Sequence, residues 1–151
     1  MILDLDEHVP FLLYRVASKL MTEANAEYKA LGVNTMCSRI LMVLLRDTTA
    51  KVGDLCEATS TDQSTVSHTL IKLSRMGLIS KRRQLQDNRT VRVTLTPKGT
   101  EIARRCTDIA VRYEELVRRG LSHEQIETLK TTLRQLFENL AEFEMSTATA
   151  D

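Results

Sequence analysis

Apolar residues recur at helical spacing along most of this chain and alternate with polar ones in only one short region. Val9, Leu12, Leu13, Val16, Leu20 and Ala24 fall on one helix face. Pro10 suits the first helical position, where its missing N–H costs nothing. The pattern predicts a helix from Pro10 to about Ala30, stopped by Gly32. Asn34 or Thr35 caps a second helix, Met36–Arg46, whose Ile40, Leu41, Val43, Leu44 and Leu45 predict nearly full burial. A turn over Asp47–Lys51 leads to a short third helix, Val52–Ala58, with Val52 and Leu55 inward and Cys56 on the same stripe. Thr59-Ser60-Thr61 is the next turn, and Thr61 or Asp62 caps a fourth helix.

In that fourth segment Val66, Leu70 and Leu73 share a face at i, i+4 and i+7. The opposite face carries Ser64, His68, Ile71 and Arg75, flanked by Thr65, Ser67 and Lys72. That face is hydroxylated near its N-terminus and cationic towards its C-terminus. A solvated surface helix can look the same, and the residues after Arg75 separate the two readings. Gly77 ends the helix as a C-terminal cap at positive φ would. Leu78–Arg82 reads as a strand, and Val91–Leu95 alternates as its partner. The tip between them, Arg83 to Thr90, holds no apolar residue but Leu85. Helix, turn, helix and charged hairpin together predict a winged helix-turn-helix. A face of this kind fits a major groove about 12 Å wide, with hydroxyls at base edges and cations at phosphates.

Thr96-Pro97 starts a further helix, with Ile102, Cys106, Ile109, Tyr113, Leu116 and Val117 on one side and Gly120 at its close. Ser122 and Gln125 have capping-box spacing for a last helix, whose stripe is Ile126, Leu129, Leu133, Leu136, Phe137 and Leu140. A helix-turn-helix of about 70 residues is too small to bury such stripes alone. The same segments of a second copy are their natural cover, which predicts a homodimer. The fold class expected is mostly α with a small β-hairpin wing, with residues 1–33 and 97–151 as dimerisation helices around a DNA-binding lobe, 34–96.

Composition sharpens this picture at two points. The 151 residues carry a net charge of only +1, yet Asp62 to Lys98 holds eight Lys or Arg against two acids. Charge concentrated in this way is the footprint of a polyanion partner. From Leu121 onward six acids face Lys130 and Arg134. No apolar run approaches the ~20 residues of a membrane span. The acidic start, MILDLDEH, lacks the cationic region of a secretory signal, and three scattered cysteines make no disulfide framework. The expectation is a cytoplasmic protein with reduced thiols and no membrane partner.

The order of elements resembles the multiple-antibiotic-resistance regulator (MarR) family from about His8 to Phe143. Asp87-Asn88-Arg89-Thr90-Val91-Arg92 is similar to that family's wing signature, Asp-x-Arg-Ser-x-Arg, with Thr90 in place of Ser. The run from Val52 to Arg83 is similar to its helix-turn-helix, including Gly77 before the first wing strand. The resemblance implies a homodimeric regulator, usually a repressor, on double-stranded DNA with a pseudo-palindromic operator. It places Arg89 in a minor groove, whose narrow A·T-rich form concentrates negative potential. Asp87 would orient Arg89 or Arg92. Gln63, Ser64, Thr65, Ser67 and His68 are then the base-reading candidates, and Lys72, Arg75 and Lys81 the phosphate contacts.

The resemblance also implies a small-molecule effector, a phenolic or aromatic acid or its coenzyme A thioester, held between helices. His8, Phe11, Arg15, Thr35, Met36, Ser38, Arg39 and Met42 are the candidate lining, an arginine beside apolar surface suiting a carboxylate on a ring. Both arginines have a simpler reading as partners of acids on neighbouring helices. Cys37, in the first turn of the second helix, raises an alternative: a redox sensor whose thiolate the backbone N–H groups favour. Cys56 and Cys106 read as core. His8, His68 and His123 have no metal-ligand spacing, so no metal is expected. No cofactor motif appears, and no phosphate-binding loop or nucleophile with a histidine partner, so neither a cofactor nor an enzyme is expected. A winged module that binds protein instead of DNA is the remaining rival, and salt-sensitive duplex binding separates the two.

Overall fold

The computed structural model describes the backbone of residues 4–84 and 87–148, and the side chains of 4–82 and 91–143. Its elements run α1 (Val9–Ala30), α2 (Thr35–Asp47), β1 (Thr49–Lys51), α3 (Val52–Thr59), α4 (Gln63–Arg75), β2 (Ile79–Gln84), β3 (Asp87–Leu95), α5 (Pro97–Arg118) and α6 (His123–Ala148). Among the described residues, six helices with one small sheet form the mostly α fold with a β wing that was expected. The chain forms two compact units, residues 1–113 and 114–151. The division by role drawn from the sequence cuts elsewhere, at 34 and 96.

In the first unit the core gathers Ile40, Leu41 and Leu44 of α2, Leu55 of α3, Val66, Leu70 and Leu73 of α4, and Val93 of β3. Each buried aliphatic of this size contributes about 1.5–3 kcal/mol of transfer free energy. Ala24 and Tyr28 of α1 and Ala103, Cys106 and Ile109 of α5 belong to the same core. The N-termini are set by side chains. Asn34 Oδ1 accepts from the Cys37 N–H at 2.9 Å, and Thr35 donates from its N–H and hydroxyl to Asn25 Oδ1 at 3.2 and 3.1 Å, tying α2 to α1.

Two expectations need correction. Asp47–Lys51 is not simply a turn: Thr49–Lys51 is a strand, antiparallel to β3, in a sheet of order β1-β3-β2. Three residues show no alternation, and pairing of Ala50 with Val93, both buried, supplies what the segment lacks by itself. The wing strands also run further than the alternating residues, to Gln84 and from Asp87, because ladder hydrogen bonds hold polar residues extended as well as apolar ones.

The end of α4 is clasped to the start of α5. Gly77, at φ +70°, donates from its N–H to Ser74 O, and the Leu78 N–H donates to Leu73 O, both at 3.0 Å, the Schellman pattern. The Thr96 hydroxyl donates to Gly77 O at 2.7 Å, and the Thr96 N–H donates to Leu78 O at 3.1 Å. Lys98 Nζ reaches Met76 O at 3.2 Å. Gly99 allows this closeness, since a Cβ there would stand 1.8 Å from the Leu78 carbonyl oxygen. The helix that would enter a groove is thus fixed at its far end by backbone contacts.

In the second unit, Ser122 and Gln125 form the capping box: the Ser122 N–H donates to Gln125 Oε1 at 2.8 Å and the Gln125 N–H to Ser122 Oγ at 3.2 Å. Ile126 is buried, while Leu129, Leu133, Phe137 and Leu140 of the same stripe stay exposed.

Candidate nucleic-acid interface

The reading face is built from the N-cap outwards. Asp62 accepts from the Thr65 N–H at 2.9 Å and from the Thr65 hydroxyl at 2.7 Å. Those bonds, the backbone one first, hold its carboxyl below the ordinary value. Val66, Leu70 and Leu73 are buried, so the opposite face of α4 must point outward. Gln63, Ser64, Thr65, His68, Ile71, Lys72 and Arg75 are all exposed, and Ser67 is half-buried on the flank. The structure therefore brings the candidate base-reading residues onto one helix, with two distinctions the sequence did not make. Thr65 spends its hydroxyl proton on the cap and has only lone pairs to offer a base. The Ser64 and His68 side chains, at the centre of the face, have no hydrogen-bond partner among the described residues.

The sheet adds cations that linear reading missed. Arg92 of β3 lies opposite Lys51 of β1 on one side and Arg82 of β2 on the other. Side chains opposite each other in antiparallel strands share a face. Val93 and Ala50, the adjacent positions, are buried, so Lys51, Arg92 and Arg82 project away from the core. No ion pair among the described residues holds any of the three. Like charges placed opposite one another are unfavourable unless an anion lies over them. Neither Lys51 nor Arg82 stood among the site candidates; only strand register could add them. Lys81, opposite the buried Val93, is exposed but lies on the other face of the strand from this row. Asp87 and Arg89 lie on the backbone of β3, and their side chains fall outside the described residues.

The effector candidates do not converge. Arg39 and Met42 line an open cavity of about 430 Å³ between α2 and the end of α3, with Val43, Ala58, Thr59 and Ser60. Arg39 also reaches Met21 Sδ of α1 at 3.7 Å. Arg15 pairs with Asp6, in the turn before α1, at 3.0 Å and lies 5.9 Å from the centroid of the Phe11 ring. Ser38 is a correction: it is fully buried, its hydroxyl donating to Thr35 O at 2.8 Å, and it does not line this cavity. Thr35 is bound to Asn25, Met36 is half-buried with Sδ 3.9 Å from the Thr61 hydroxyl, and His8 precedes α1 without a side-chain capping bond.

The redox alternative is corrected as well. Cys37 is 0% exposed, within the core, and its backbone N–H already serves Asn34. No oxidant reaches that sulfur without opening the core. Cys106 is buried too, and desolvation pushes its thiol up to about 11, away from the reactive thiolate. Cys56 is half-buried. Among the described residues no group of His, Cys, Asp or Glu is placed to hold a metal, and no helix is long and apolar enough to cross a membrane.

A family model described as Transcriptional regulator SarA/Rot matches residues 25–106, more than half of the chain. The chain belongs to this family of transcriptional regulators. The MarR resemblance holds beside it. A MarR-family regulator from Silicibacter pomeroyi superposes with a TM-score of 0.79 at 26% identity, covering 90% of this chain and 92% of that one. MepR of S. aureus, solved as a DNA complex, gives 0.81 at 23% identity over 88% and 98%. PcaV of Streptomyces coelicolor, solved with its natural ligand, gives 0.79 at 21% identity over 91% and 97%. The organic hydroperoxide resistance transcriptional regulator of Bacillus subtilis (strain 168) is 26% identical over 136 residues, 90% of this chain and 91% of that protein. This MarR-type regulator is therefore a winged-helix transcription factor, not an enzyme.

Proposed function

We propose that this regulator is a homodimeric repressor that binds a pseudo-palindromic operator and is released by a small aromatic acid or its coenzyme A thioester. The observation that carries the DNA half of the reading is the outward face of α4, where Ser64, His68, Lys72 and Arg75 stand exposed above a buried stripe. The MepR–DNA complex shares the fold. Residues 34–96 read the duplex, and 1–33 with 97–151 join the two copies. Arg89 enters the minor groove, and Lys81, Arg82, Arg92 and Lys51 lie over phosphates.

For the effector half, support comes from the cavity that holds Arg39. A ring of benzoate size fits about 430 Å³, Met42 and Val43 offer apolar contact, and the guanidinium suits a carboxylate. The cavity ends on Thr59 and Ser60, next to the cap of α4. Ser60 sits at φ +48°, a costly region for a residue with a Cβ, so a ligand pressing there acts on a turn with little conformational slack. A ligand that moves Ser60 would tilt α4 away from its groove. A redox-sensing role through Cys37 is not proposed, because that thiol is buried in the core.

The test is a titration of the DNA upstream of the protein's own gene at two salt concentrations, with and without a panel of aromatic acids and thioesters. Salt-sensitive binding that one compound abolishes is expected, and Arg39→Ala should need at least about tenfold more of that compound while binding free duplex normally. Binding that no compound disturbs refutes the effector half. No binding at low salt refutes the DNA half.

A further inference from the structure

We infer that Ile71 reads the 5-methyl group of a thymine in each half-site, and so sets specificity beyond the polar contacts of α4; this rests on the DNA reading above. Ile71 is 42% exposed and is the one exposed large hydrophobic residue among the described residues from 34 to 96. Every other described large apolar side chain in that stretch is buried or partly buried. It follows Ser64 and His68 at i+7 and i+3 and precedes Arg75 by four, so it stands in the middle of the outward face and not at its margin.

The chemistry of that position is specific. A branched aliphatic side chain cannot hydrogen-bond a base edge or a phosphate. In the major groove the only apolar feature a base pair presents is the thymine methyl, next to the O4 acceptor. The neighbouring Ser64 and His68 can accept from or donate to adjacent base edges, while Ile71 covers the methyl and excludes water from it. The side chain is left open by its own fold, so the gain from removing it from water falls on the complex. Removing one buried methyl costs about a fourfold change in affinity.

Deoxyuridine supplies the test, since it differs from thymidine only by that methyl. The footprint of the full-length protein on its operator is mapped first, and duplexes are made with deoxyuridine at each protected thymine in turn. Wild-type protein should lose about fourfold at one thymine per half-site, and roughly fifteenfold when both are changed. Ile71→Ala should bind the thymidine duplex more weakly and show no difference between the two duplexes. Because the side chain is exposed and Ala is the better helix former, the variant should fold as the wild type does. Wild-type indifference to deoxyuridine at every protected thymine overturns the inference, as does an Ile71→Ala variant that keeps the wild-type ratio. In both cases duplex binding itself stands, whereas a protein that protects no duplex overturns the DNA reading along with it.

Discussion

Residues 34–96 and the terminal helices treat apolar surface in opposite ways. In the first stretch nearly every described large hydrophobic residue is inside, and the exception lies on the face that would meet DNA. In α1, the last turns of α5 and α6, the stripes predicted from the sequence form helices but stay bare: Leu12, Leu13, Val16, Leu116, Leu133, Phe137 and Leu140 are all exposed, the last at 66%. Stripes of this length on one chain are unusual for a monomer. A periodic apolar stripe thus fixes a helix without saying what covers it. In this regulator the inner stripes are covered by their own chain, and the outer ones are the surface on which the proposed homodimer rests.

The largest effects should come from breaking the closed region. Gly99→Val drives a side chain into the Leu78 carbonyl and should cost about 3 kcal/mol or more, read as a lower denaturant midpoint. Leu70→Ala leaves a cavity in the core and should cost roughly 2–5 kcal/mol. A denaturant midpoint unchanged by either would mean that the α4–α5 clasp and the core are not packed as described.

The terminal stripe should answer to a different measurement. Leu133→Asp with Phe137→Asp places two charges on exposed positions, so a single chain should keep its helical signal while the dimer dissociates. Light scattering across a dilution series checks this. Loss of folding with the dimer would make the second copy part of the fold itself.

Smaller still is the expected effect of Lys51→Gln. If Lys51, Arg92 and Arg82 share a phosphate strand, the variant should bind all sequences more weakly and flatten the dependence of log affinity on log salt by about one per protomer. An unchanged slope removes Lys51 from the interface.

The smallest effect is on pH dependence. The Arg112 guanidinium, and then the Tyr113 hydroxyl at 3.0 Å, hold the Glu27 carboxyl below its ordinary 4.5. A carboxyl lowered in the folded state stabilises fully above 4.5 and loses that contribution as pH falls through its folded value. Wild-type stability should therefore drop more steeply than that of Glu27→Gln over that acid range. Parallel curves would show that the contact between α1 and α5 contributes nothing.

Much of this was legible in the sequence because its causes are local. Helical periodicity located every helix to within a few residues; side-chain chemistry announced the Ser122–Gln125 box and narrowed two other caps to Asn34 or Thr35 and Thr61 or Asp62, of which Asn34 and Asp62 serve. What escaped depends on partners distant in the chain. Thr49–Lys51 is a strand only because β3 lies beside it, and Lys51 joins Arg92 and Arg82 only through register. Ser38 looked available because its hydroxyl is polar, yet the carbonyl three residues back satisfies it inside the core. Cys37 looked activated by its helix start, and burial overrides that. Gly99 carried no sign in the sequence of the carbonyl pressed against it.

The rest depends on a second copy covering the outer stripes while two α4 faces read one duplex. The mass of the operator complex decides this, measured by light scattering on a duplex trimmed to the footprint. Two chains per duplex are expected, and the Leu133→Asp, Phe137→Asp variant should bind as a single chain and only at much higher protein concentration. A wild-type complex of one chain per duplex at full affinity would contradict it.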